Sequence, residues 1–72
     1  MFIKRSPVKS SAISSIGYNA DKKILEIEYI SGDVYDYFKV PEHIFNELMQ
    51  AESKGTFANT RIKEHYESEK KG

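Results

Sequence analysis

His43 and Glu47 stand four positions apart, the spacing that sets two metal-binding side chains on one face of a helix. A metal centre needs more ligands than that. The only other imidazole is His65, and no cysteine is present to add a thiolate. The pair therefore reads as a surface helix contact, and no metal is expected. Ser10, Ser11, Ser14 and Ser15 offer hydroxyl nucleophiles, but no base with an orienting carboxylate stands at a recognisable spacing from them. They read as the beginning and edge of a strand. The four glycines are scattered, so no phosphate-cradling loop is formed. A chain of 72 residues also leaves little room for a water-excluding chamber. No catalytic residue and no cofactor are expected, and the chain does not read as an enzyme.

Binding chemistry is the alternative, and charge and aromatic content bear on it. The 11 basic and 11 acidic side chains cancel overall but not locally. Residues 1–18 carry Lys4, Arg5 and Lys9 with no acid, residues 19–53 are acidic, and residues 54–72 are again basic. A polyanion would meet the two ends of the chain and avoid its middle. Five tyrosines are present, and aromatic rings on a sheet can stack on splayed bases. No apolar run is long enough for a membrane span and the first residues lack a signal peptide's apolar stretch, so a cytoplasmic protein with no membrane contact is expected.

The elements that must position these groups follow from periodicity. Residues 13–18 read as a strand, the group Asn19, Ala20, Asp21, Lys22 as a turn, and residues 23–30 as a strand with Leu25, Ile27 and Tyr29 on one face. Residues 34–40 make a third strand, and the short connections give an antiparallel meander. A two-residue turn at Ser31 and Gly32 would bring Asp36 into the apolar face. A three-residue loop, with Gly32 left-handed, brings in Tyr35 and Tyr37 instead and turns Asp36 to solvent opposite Glu26. A buried unpaired carboxylate costs several kcal/mol, so the three-residue loop is chosen. Tyr35 and Tyr37 then become core residues, and Val34 and Phe38 fall on the wetter face.

Pro41 suits a first helical position, and Ile44, Phe45, Leu48 and Met49 form an apolar stripe that Gly55 ends after Lys54. Asn59 reads as the cap of a second helix over residues 60–68, with Ile62 and Tyr66 facing inward and Phe57 just ahead. The predicted fold is α+β, a three-stranded antiparallel meander with two C-terminal helices packed on one face, in the order βββαα. Residues 8–68 form the single domain, residues 1–7 a partly ordered tail, and residues 69–72 a frayed end.

Several stretches in order resemble the KTSC domain, a module named for the C-terminus of some lysyl-tRNA synthetases and found also as small stand-alone bacterial proteins. They are Val8 to Ile13, then Ile16, Gly17 and Tyr18, then Leu25 to Tyr29 with Gly32. The pair Tyr35 and Tyr37 matches the family's Tyr-x-Tyr. Val40, Pro41, Ala51, Ser53, Gly55, Phe57, Asn59, Ile62, Lys63 and Tyr66 complete the match, over about residues 8–66. The synthetase context implies RNA binding.

Two functional expectations result. The first is an RNA-binding adjunct using Lys9, Lys54, Asn59, Arg61 and Lys63, with Lys4 and Arg5 alongside, in weak and salt-dependent contacts. Asn59, at a helix N-terminus, would add a donor for one phosphate. The second is a protein-interaction module or homodimer. It would use Ile24, Ile30, Val34 and Phe38 on the uncovered sheet face, or an exposed edge strand.

Overall fold

The computed structural model describes residues 3–72; Met1 and Phe2, part of the expected N-terminal tail, lie outside them. Strands β1 (Ser6–Pro7), β2 (Ile13–Asn19), β3 (Ile24–Tyr29) and β4 (Val34–Tyr37) come first. Helix α1 (Glu42–Gln50), the short helix α2 (Lys54–Phe57) continuing into a π-helical turn (Ala58–Ile62), and strand β5 (Ser68–Lys70) follow. All five strands join one antiparallel sheet in sequence order.

The expected meander is its centre, and its register is the expected one. The Tyr29 N–H donates to the Asp33 carbonyl at 2.8 Å, and the Gly32 N–H donates to the Tyr29 carbonyl at 2.9 Å. Gly32 takes φ +98°, a left-handed conformation that glycine adopts without a side-chain clash. Leu25 therefore faces Tyr37, Ile27 faces Tyr35, and Glu26 faces Asp36. The third strand stops at Tyr37, short of the expected residue 40. Lys39 turns left-handed at φ +58°, and Val40 drops into the core fully buried.

Two corrections concern the ends. Ser6–Pro7, expected in the N-terminal tail, and Ser68–Lys70, expected as the last residue of a helix and the start of a frayed end, are edge strands, so among the described residues the sheet has five strands and not three. Both are exposed along their length and carry no apolar alternation, which left pattern reading nothing to detect.

The helical layer is also divided differently. Helix α1 ends at Gln50 because Ala51 turns extended, with its N–H bonded to the Leu48 carbonyl. Ser53 then starts α2, its hydroxyl accepting from the Thr56 N–H at 3.3 Å. Gly55 lies inside α2 and stops nothing. A Cβ there would stand 2.7 Å from the Ala12 side chain, so glycine lets α2 press on the loop before β2. Asn59 is an exposed member of the π-helical turn and caps no helix. That turn closes with the Lys63 N–H on the Ala58 carbonyl at 2.9 Å, leaving Ala58 and Ile62 both fully buried.

The core lies between these layers. Ile13, Ile16, Leu25, Ile27 and Tyr37 from the sheet meet Val40, Ile44, Leu48, Ala58 and Ile62. The Tyr18 ring stacks on Phe45 at 5.0 Å, and its hydroxyl donates to the Val40 carbonyl.

Candidate functional site

The sheet face away from the helices is covered, which corrects the expectation that Asp36 meets solvent. Asp36 is only 4% exposed and Glu26 only 6%. The cover comes from both ends of the chain. Residues 3–5 cross above Gly17, where a Cβ would meet the Lys4 carbonyl oxygen at 2.6 Å and the Ile3 side chain at 2.8 Å. Arg5 donates from Nη1 to Glu26 Oε2 at 2.8 Å and from Nε to Ser15 Oγ at 3.0 Å. Ser15 in turn donates to Glu28 Oε1 at 2.8 Å. From the other end, Lys71 Nζ pairs with Asp36 Oδ2 at 3.5 Å, while Asp36 Oδ1 is buried with no hydrogen-bond partner among the described residues. Burial pushes the Glu26 carboxyl up, the adjacent Asp36 carboxyl adds to the push, and Arg5 opposes it. Between the two terminal segments lies an open groove of about 550 Å³.

This network changes the standing of several predicted residues. Arg5, counted among the phosphate contacts, is committed to Glu26 and Ser15. Ser10, read as a strand start, accepts from the backbone N–H groups of Ala12 and Ile13. Glu47 pairs with Arg61 at 3.5 Å across the helical layer. The apolar set for a protein interface is divided: Val34 lies in the row of Ser15 and Glu28, and the charged row of Glu26 and Asp36 separates it from Ile24 and Phe38. Ile30 alone is broadly exposed, at 60%, and it sits on the hairpin loop.

The cations on the helical side come from three segments. Lys9 is exposed on the loop before β2, and that loop abuts α2 through the contact between Ala12 and Gly55. Lys54, the first residue of α2, reaches the Ala51 carbonyl at 3.2 Å. Arg61 leans toward α1, its guanidinium 5.2 Å from the Phe57 ring centre. Lys63 leans the other way, its ammonium 4.8 Å from the centre of the Tyr29 ring. Among the described residues Lys9, Lys54 and Lys63 have no ion pair, so the helical side has positive charge that no internal carboxylate neutralises.

Lys63 adjoins a tyrosine cluster on the sheet. The hydroxyls of Tyr29 and Tyr37 stand 2.7 Å apart. The Tyr35 ring lies edge-on to Tyr29 at 6.0 Å and tilted to Tyr37 at 6.2 Å. Tyr37 is core, as expected, but Tyr35 is only half-buried. Burial raises both the Tyr29 and Tyr37 phenols above their ordinary range, so they remain protonated hydroxyls. The sequence reading missed Arg5 as a structural clamp, Gly17 as a crossing point, and the pairing of Lys63 with Tyr29. For Arg5 a signal was present: once Glu26 and Asp36 are placed opposite each other, nearby cations are needed.

The family model described as KTSC domain matches residues 9–66. A protein of Tsukamurella paurometabola is 40% identical over 60 residues, covering 83% of this chain and 90% of that protein. A lysine–tRNA ligase of Nostoc punctiforme is 39% identical over 61 residues, which cover 85% of this chain and 11% of the ligase. Among solved structures, the crystal structure of a KTSC domain protein from Yersinia pestis superposes with a TM-score of 0.94 at 41% identity. That alignment covers 99% of this chain and 100% of the other.

Proposed function

Because this chain belongs to the KTSC domain family, we propose that it is a small non-catalytic module that binds RNA, tRNA foremost, through its helical side. The observation that carries this reading is the presence of a closely similar segment within lysine–tRNA ligases. Support from the geometry comes from Lys9, Lys54 and Lys63, which have no ion pair among the described residues, and from the confinement of Glu26 and Asp36 to the opposite face. An RNA strand on the helical side is therefore kept apart from these two sheet carboxylates. An RNA ligand also fits the cytoplasmic setting expected of the chain.

Only a few phosphates would be neutralised, so affinity is modest and falls steeply with salt. Three phosphate contacts correspond to a slope of about −2 to −3 in log K against log salt. Titrating labelled tRNA at low salt tests this. Binding in the tens of micromolar is expected, weakened by Lys9→Glu and by Lys54→Glu. No binding in that range, or binding indifferent to salt, removes the reading.

A further inference from the structure

A cleft of about 240 Å³ opens beside the tyrosine cluster, lined by Tyr35, Tyr37, Lys63 and Ser68. The fold assembles it from three places. Tyr35 and Tyr37 project from the same face of β4, and Ser68 enters opposite Tyr37 on β5. Lys63 arrives from the residue that closes the π-helical turn. Each wall has a distinct chemical character. The Tyr35 ring is half-buried and held in place by Tyr29 and Tyr37, which makes it a fixed aromatic wall. Lys63 sits over the Tyr29 ring with no ion pair of its own among the described residues. The Ser68 hydroxyl adds a donor and acceptor at the rim.

A planar ring beside a free ammonium matches a ligand that is flat at one end and anionic at the other. We propose that this cleft is a nucleotide subsite, in which a base lies against Tyr35 and its 5′ phosphate meets Lys63. The ligand class rests on the RNA reading above. The site goes further, because it adds base contact to a surface otherwise limited to phosphates. Glu26 and Asp36 lie on the other side of the sheet, so neither faces the incoming phosphate.

Adenosine 5′-monophosphate and adenosine are the probes, followed by backbone amide shifts in ¹⁵N-labelled protein. The monophosphate at millimolar concentration is expected to shift Tyr35, Lys63 and Ser68. Tyr35→Leu should weaken it about tenfold, the scale of one lost stacking contact, while Tyr35→Phe binds as the parent does. Lys63→Gln should weaken the monophosphate but leave adenosine unchanged, a difference that altered folding does not produce. Dispersed amide spectra confirm that each variant is folded. If Tyr35→Leu fails that check, the Lys63→Gln contrast and the shift map decide. No shifts at the cleft, shifts centred on Lys9 and Lys54 instead, or binding unaffected by both variants overturns the proposal. Binding of tRNA that is unchanged in Tyr35→Leu but weakened by Lys9→Glu and Lys54→Glu sinks the subsite and leaves the RNA reading standing. Binding of the monophosphate without tRNA binding does the reverse.

Discussion

A methyl group at position 17 would collide with the backbone at Lys4, and that single vacancy lets residues 3–5 lie across the sheet. Their presence encloses the facing carboxyls of Glu26 and Asp36. The Glu26 carboxyl is consequently raised above its ordinary value of 4.5. A carboxyl that holds its proton more tightly when folded stabilises the fold most where it is protonated. That contribution is full below the ordinary value of 4.5 and is lost as pH rises from there through the raised folded value. Stability should therefore decline over that window more in the parent chain than in Glu26→Gln, which has no proton to lose. Urea midpoints measured across the acid range check this; parallel curves for the two proteins refute it.

Scale matters differently for the elements. The central meander was legible because Leu25, Ile27 and Tyr29 alternate with acids, and because only one hairpin register kept Asp36 out of the apolar face. Strand β5 was not legible, since Ser68, Glu69 and Lys70 contribute backbone hydrogen bonds and no buried side chain. The same limit applies to the candidate site. Lys63 could be counted as a cation from sequence, but its position over Tyr29 depends on how the π-helical turn is set against the sheet. The break between α1 and α2 had a local signal in Ser53, three residues before Thr56, which the stronger expectation of a stop at Gly55 obscured. Ser53→Ala removes the cap of α2 and should lower stability by about 1 kcal/mol in chemical denaturation. An unchanged midpoint would show that packing on the loop at Ala12 holds α2 in place unaided.

At the level of the whole molecule, both sheet edges are blunted. β1 ends in Pro7, which lacks an N–H to offer a partner strand, and β5 is short, charged and exposed. Among the described residues, the apolar side chains of the covered face are split by a charged row and form no continuous patch to invite a second copy. Sedimentation equilibrium should therefore return the 8.3 kDa monomer over a wide concentration range. A dimer disrupted by Phe38→Asp would instead restore the protein-interface reading.

Ile3 and Arg5 approach the covered face from one edge of the sheet and Lys71 and Gly72 from the other, and all four border a single groove. A polypeptide joined after Gly72 starts out from that side. A fusion at the C-terminus would thus act as a tether behind the module, with the face bearing Tyr35 and Lys63 pointing outward from its host.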